Sequence, residues 1–296
     1  MESKPVTAGG VTLVVPAYNE ELGIEGVVSR LCALDLGTTF ELLVVDDGST
    51  DGTRAKLDAL VERHSVLRVL SHHSNRGYGA ALKTGFAAAS NDIVVITDAD
   101  GTYPEQRIVD LLACIDRGAE MAVGARTGDN VNVPLIRRPA KAVLRMLASY
   151  LAETRIPDLN SGLRAFQRDL VMTYRPILPN GFSFTTTITL ASLTNGHRVD
   201  YVTIDYAARS GRSKIRPIRD TLGFTALIIR TVLYFNPLKV FYPVAWLLGL
   251  ITAGLLVYDI AVNSNLGDKT VLMFVALVQV LSVGVLADLI AKKTRM

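Results

Sequence analysis

Between residues 11 and 126, short apolar runs alternate with stretches whose apolar positions recur at helical spacing. The runs VTLVVPAY (11–18), FELLVVDDG (40–48), VLRVLSH (66–72), DIVVITDAD (92–100) and EMAVGAR (120–126) predict five strands. Helices are predicted between them over roughly 20–34, 50–63, 77–89 and 104–117. The strands are apolar at nearly every position, as strands buried on both faces of a parallel sheet are. Their regular alternation with helices predicts an α/β domain with a mostly parallel sheet and helices on both faces.

The pattern changes beyond residue 126. A helix over about 139–152, a short strand near 162–166, a helix around 184–195 and a strand over 197–206 are predicted. A basic loop, AARSGRSKIRPIRD, follows, and then a largely apolar helix over 217–236. Residues 240–262 and 271–291 are two nearly uninterrupted apolar runs, with Asp259 and Asp288 as their only charges. Each is long enough to cross the roughly 30 Å hydrocarbon layer of a bilayer. The connector NSNLGDKT is short, so the pair reads as a helical hairpin.

Charge orients that hairpin. Lys239 precedes it, and Lys292, Lys293 and Arg295 follow it. An excess of Lys and Arg marks the cytoplasmic side, which places both flanks, both termini and everything upstream in the cytoplasm. Between 207 and 239, Arg209, Arg212, Lys214, Arg216, Arg219, Arg230 and Lys239 stand against a single acid, Asp220. A basic, partly amphipathic stretch beside a span predicts an interfacial helix and an anionic partner. Three segments follow: a cytoplasmic catalytic-type domain (1–216), a juxtamembrane helix (217–239) and the membrane pair (240–296).

Composition adds exclusions. A net charge of +3 over 296 residues makes no case for nucleic acid. Two isolated cysteines, Cys32 and Cys114, both on predicted helices, suggest buried thiols in a reducing compartment and not a disulfide framework. The N-terminal MESKPVTAGG lacks the apolar core of a signal peptide. His64, His72, His73 and His197 show no metal-ligand spacing.

Three polar clusters fall at the carboxyl ends of predicted strands: PAYNEE (16–21), DDGSTDGT (46–53) and DADGTYP (98–104). In an open parallel sheet that edge is where ligands bind. Asp98 and Asp100 point to the same side of an extended chain, because side chains alternate with period two. Two carboxylates so close repel unless a cation lies between them. A hard divalent ion meets that need, since Mg²⁺ typically takes one or two carboxylates together with substrate phosphates. The glycine-flanked NRGYGAALKTG (75–85) reads more safely as a helix start than as a phosphate cradle.

These clusters, taken in order and joined by NRGYGAALKTGFAAA, resemble family 2 glycosyltransferases of the GT-A fold. DLNSGLRAF (158–166), RSGRSK (209–214) and FNPLKVF (235–241), closed by two spans, look like the branch that acts on polyprenyl phosphates. The branch includes dolichyl-phosphate mannose synthases and undecaprenyl-phosphate glucosyltransferases. The resemblance implies a nucleoside pocket lined by Pro16, Ala17, Tyr18 and Glu20, with Val45 and Asp47 meeting the base. It makes Asp98 and Asp100 the metal ligands and sets Ala99 beside the ribose. Thr102 stands where mannose synthases of this type often carry a metal-binding glutamine, leaving the third protein ligand open. Arg126 would contact the diphosphate, with Arg137 or Arg138 as a second arginine. Arg209, Ser213 and Lys214 would form a basic loop near the phosphates, and Asp158, Ser161 and Arg164 would serve the acceptor.

The activity so implied is inverting transfer of a hexose from a nucleotide-diphosphate sugar, UDP-glucose or GDP-mannose, to a polyprenyl phosphate. The cofactor would be Mg²⁺ or Mn²⁺, and the catalytic side chains Asp100, Arg126 and Asp158. The location would be a bacterial or archaeal plasma membrane or the endoplasmic reticulum. A homo-oligomer is compatible with a paired-helix anchor. Two rivals are a processive polysaccharide synthase and a non-catalytic binder of nucleotide or lipid phosphate. The first needs a Q-x-x-R-W motif, but the sole tryptophan, Trp246, lies inside a span. The intact D-x-D speaks against the second.

Overall fold

A computed structural model describes residues 6–128, 146, 148–150, 152–206, 229–230, 233–234, 236–263 and 265–293. Five strands of the N-terminal region form where apolar periodicity places them: β1 (Val11–Ala17), β2 (Phe40–Asp46), β3 (Leu67–Ser71), β4 (Ile93–Ile96) and β5 (Met121–Ala125). They alternate with helices α1 (Ile24–Cys32), α2 (Thr53–Val61), α3 (Tyr78–Ala88) and α4 (Ile108–Asp116). Then come β6 (Arg164–Gln167), α5 (Arg168–Tyr174), α6 (Phe184–Thr194) and β7 (Val199–Thr203). The strands make one seven-stranded sheet in the order β3-β2-β1-β4-β6-β5-β7.

Period-two alternation sorts each strand between two cores. Leu13 and Val15 of β1, with Leu42 and Val44 of β2, pack under α1, α2 and α4. Val14, Leu43 and Val45 face the other way, against α3, α5 and α6. A strand flanked by two helical layers needs apolar residues at every position, which is why these segments read as unbroken runs. Gly85 lets α3 approach the sheet: a Cβ there would lie 2.3 Å from Val14 Cγ1.

The sheet is parallel except at β6, which pairs antiparallel with both β4 and β5. The short strand expected near 162–166 is therefore present as Arg164–Gln167, wedged into the middle of the sheet. The chain order reverses between β1 and β4, and in open α/β sheets ligands bind outside the strand ends at such a reversal.

Both cysteines lie on helices as expected, but only Cys114 is buried. Cys32 is half-buried, because it closes the last turn of α1.

Two long apolar helices end the chain. The first is α7 (Leu238–Tyr258), continued by a π-helical turn at Asp259–Asn263; the second is α8 (Asp268–Lys293). Each exceeds the roughly 20 residues a membrane crossing needs. Only 11% of each apolar window is buried by protein, so neither is the core helix of a soluble domain. Asp259, the lone acid of the first run, has a structural task. Its Oδ2 accepts from the Gly267 N–H at 2.8 Å and the Thr270 hydroxyl at 2.5 Å, closing the hairpin. Gly284 of α8 meets Phe241 of α7 so closely that a Cβ would lie 2.9 Å from the Phe241 Cβ.

The hairpin is keyed into the sheet domain. Val240 packs on a small core of Ala148, Ala152, Ile156, Leu159 and Leu190, and Lys239 Nζ lies 2.9 Å from Glu153 Oε1. The remainder of the helix expected over 139–152, the basic loop and most of the juxtamembrane helix lie outside the described residues.

Candidate active site

The first two polar clusters are tied together. The Asn19 N–H donates to Ser49 Oγ at 3.0 Å, the Thr50 N–H to Asn19 Oδ1 at 2.8 Å, and the Glu20 N–H to Thr53 Oγ1 at 2.9 Å. Asn19 adopts a left-handed φ of 54°, a conformation Asn tolerates better than most residues. Pro16 and Ala17 are buried at the end of β1 and offer backbone and wall, while Tyr18 and Glu20 are half-buried in the loop beyond.

Val45 and Asp47, expected to meet the base, lie at and just past the end of β2. Val45 is fully buried, with its side chain in the core under α3. Asp47 is also buried, and its oxygens are occupied. Oδ1 accepts the Arg76 N–H at 3.0 Å, Oδ2 the Gly77 N–H at 2.7 Å, and His72 Nδ1 lies 2.6 Å from Oδ1. The carboxylate thus fastens the glycine-rich turn that starts α3.

The third cluster holds the acidic pair just past the end of β4. Asp98 and Asp100 are half-buried, with Ala99 buried between them. The Tyr78 hydroxyl donates to Asp98 Oδ1 at 3.1 Å. Burial, and then the neighbouring Asp98 carboxylate, hold the Tyr78 phenol well above its ordinary value, so it remains a donor. On the other flank stands Gly162: a Cβ there would lie 2.7 Å from both Asp98 oxygens. Thr102 donates twice to Asp100 Oδ1, from its hydroxyl at 2.6 Å and its N–H at 3.2 Å.

Gly162 belongs to the loop that carries the expected acceptor residues, and its N–H donates to Tyr103 Oη at 2.6 Å. Tyr103 packs edge-on against Tyr206, and the Arg126 guanidinium lies over the Tyr206 ring at 5.2 Å. Arg126 grips Asp158 with two prongs, Nε to Oδ2 at 2.6 Å and Nη2 to Oδ1 at 2.9 Å. Its own N–H adds a third bond to Oδ2 at 3.1 Å. Burial alone would raise the Asp158 carboxyl; the hydrogen bonds and charge of Arg126 overcome it and bring the value down to about 2.

Arg164 is another residue of that loop region expected to serve the acceptor. It is fully buried, and its guanidinium donates to Ser161 O, Leu159 O, Thr185 O and Thr189 Oγ1. Those partners make it an internal strut that shapes the 158–163 loop from beneath. Ser161 is also fully buried, and its hydroxyl has no partner among the described residues. Arg137, Arg138, Arg209, Ser213 and Lys214 lie outside the described residues.

Sequence reasoning passed over Tyr78, Tyr103, Tyr206 and Gly162. Tyr78 and Tyr103 stood inside the quoted runs NRGYG and DADGTYP, where an aromatic in a turn-rich loop was the available signal.

The acidic pair suits a divalent ion. Among the described residues no group of three His, Cys, Asp or Glu side chains assembles. Two hard carboxylates match Mg²⁺ or Mn²⁺ completed by phosphate oxygens, and they do not match a closed four-ligand zinc site.

Comparison with known proteins points one way. The sequence model of glycosyl transferase family 2 matches residues 12–175, and that of the GtrB C-terminal hairpin matches residues 236–292. The undecaprenyl-phosphate 4-deoxy-4-formamido-L-arabinose transferases of Salmonella paratyphi A and Salmonella enteritidis are 30% identical over 186 residues. That stretch is 58% of this chain but only 56% of theirs, little more than half their length. Among solved structures, glucosyl-3-phosphoglycerate synthase from Mycobacterium tuberculosis, with Mn²⁺, uridine diphosphate and phosphoglyceric acid, superposes with a TM-score of 0.59. It is 26% identical, and the match covers 77% of this chain and 79% of that one. Its complex with Mg²⁺ and uridine diphosphate gives 0.58 at 28% identity, covering 77% and 80%.

Proposed function

The chain belongs to glycosyl transferase family 2, and from that premise we propose that it moves a hexose from a nucleotide-diphosphate sugar to a polyprenyl phosphate at a membrane surface. One observation carries the proposal. The acidic pair just past the end of β4 abuts, through Gly162, the loop whose Asp158 grips Arg126, and the segment leading into that loop is packed against the first turn of an apolar hairpin.

Asp98 and Asp100 would hold Mg²⁺ or Mn²⁺ against the donor diphosphate. When bound, the ion neutralises charge that develops on the leaving group. Arg126 is the protein's own contribution to that task. Its Nε and Nη2 are held by Asp158, and Nη1 makes no hydrogen bond among the described residues, which suits it to a phosphate oxygen. A phosphate monoester acceptor has a second pKa of about 6 and arrives largely ionised at neutral pH, so it needs no general base. Asp158, held at about 2 by its arginine, is a poor base and a good clamp. Inversion at the anomeric carbon follows from a single displacement by that phosphate.

The undecaprenyl-phosphate relatives support a lipid phosphate acceptor, and the synthase complexes support a uridine nucleotide donor; GDP-mannose stays as the other candidate. The hairpin would anchor the enzyme with the catalytic domain and both termini in the cytoplasm. Arg209, Ser213 and Lys214 would gather the two phosphates at the bilayer surface.

The test is turnover of a panel of labelled sugar nucleotides by the full-length protein in detergent with undecaprenyl phosphate and Mn²⁺. Chelator-sensitive glycolipid from one nucleotide is the expected result. No product from any donor, or product unaffected by chelation, would overturn the proposal.

A further inference from the structure

Each acid of the D-x-D pair has a hydroxyl of its own. Tyr78, the first residue of α3, donates to Asp98 Oδ1 at 3.1 Å. Thr102, two residues past Asp100, donates to Asp100 Oδ1 at 2.6 Å and repeats the contact with its backbone N–H. We propose that Tyr78 and Thr102 are positioning residues for the metal-binding pair, each fixing one carboxylate oxygen and with it the orientation of the carboxylate toward a cation. The inference rests on the metal-dependent transfer proposed above.

Both donors are held before any ligand arrives. The Tyr78 ring stacks on Phe182 with centroids 5.6 Å apart and planes 19° from parallel. The start of α3 is pinned from outside as well, where the Ala80 N–H donates to Asn180 O at 3.0 Å. Glycine at 77 and 79 permits that approach, since a Cβ would lie 2.6 Å from Asn180 O or 2.2 Å from Pro179 O. Thr102 is buried, and its two donors converge on one oxygen in a closed local turn.

The pairing answers a physical problem. Two carboxylates one residue apart repel, and without fixed partners they swing apart when no cation lies between them. A charge-assisted hydrogen bond to each removes that freedom. Such partners of ligating groups typically change metal affinity by about 10–100-fold when removed. Asp98 is confined further by Gly162 on its other flank.

The experiment measures Mn²⁺ binding to the full-length protein in detergent by electron paramagnetic resonance of the free ion, with and without inorganic pyrophosphate. Tyr78→Phe and Thr102→Val each remove one hydroxyl and keep the shape; Thr102→Ser restores the hydroxyl. Tyr78→Phe and Thr102→Val are expected to weaken Mn²⁺ binding about 10-fold or more, with Thr102→Ser close to wild type. Wild-type affinity in both variants, or a Thr102→Ser loss equal to that of Thr102→Val, would sink the positioning role. Failure of the wild-type protein to bind Mn²⁺ even with pyrophosphate would instead remove the metal-dependent reaction itself. If Tyr78→Phe does not fold, the Val and Ser variants at 102 decide alone.

Discussion

Arg126 and Asp158 form a two-pronged ion pair, at 2.6 and 2.9 Å, with side chains only 15% and 13% exposed. Removing one partner leaves the other's charge poorly solvated. Asp158→Asn should lower stability by about 3 kcal/mol and reduce turnover more than 100-fold, because the arginine loses its aim. Thermal unfolding in detergent and a product assay separate the two effects. Replacing both, Arg126→Met with Asp158→Leu, should recover stability and leave turnover lost.

The same pair sets a pH window. The folded Asp158 value, about 2, lies below the ordinary aspartate value of 3.8. A depressed carboxylate stabilises above its unfolded pKa, and the stabilisation is lost as pH falls through the folded one. The stability of wild type relative to the double variant should stay level from about pH 5 to 8 and fall between about 4 and 2. A difference that changed near neutrality would mean that another group controls the pair.

Gly162→Ala tests whether donor and acceptor sides are mechanically joined. A new Cβ would sit 2.7 Å from both Asp98 oxygens and must displace them. A misplacement of about 1 Å at a reacting centre can cost about 100-fold in rate. The informative readout is apparent Mn²⁺ affinity, which should weaken although residue 162 belongs to the acceptor-side loop. Unchanged affinity with a raised KM for the lipid alone would show the two sides to be independent.

Arg164→Lys should behave as a stability variant. Lysine keeps the charge but cannot span Ser161 O, Leu159 O, Thr185 O and Thr189 Oγ1 together. Buried acceptors left without donors cost about 1–3 kcal/mol each, so the melting temperature should drop by several degrees. Activity per folded molecule should fall less than the folded fraction does; the reverse would restore a direct acceptor contact.

In the hairpin, Gly284→Val would force α8 away from Phe241 and cost about 1–3 kcal/mol through overpacking. Phe241→Ala combined with it should regain most of the loss, read by thermal unfolding in detergent. Additive losses would mean that the two helices do not meet there.

The strands were legible because both their faces are buried, so Leu13, Val14 and Val15 all had to be apolar. The acidic pair was legible because two aspartates at a strand end have few structural uses. β6 was harder to place: its antiparallel partners, β4 and β5, come from distant sequence, and its first residue is a buried arginine where a strand pattern expects an apolar one. The burial of Arg164 was not legible for a related reason, since arginine is almost never fully buried unless its donors are paired. The loop partners of Asp47, the Arg76 and Gly77 N–H groups, were not legible, because they meet it only when the chain folds back. The Arg126–Asp158 clamp joins residues 32 apart in the chain, a distance at which local pattern carries no information.

Val240 and Lys239, at the foot of the hairpin, dock on the same short segment that runs on to Asp158. Under the proposed function, the clamp therefore rides at a fixed height above the hydrocarbon. What such an enzyme gauges in its lipid is the altitude of the headgroup, and isoprenoids of very different length should serve it alike.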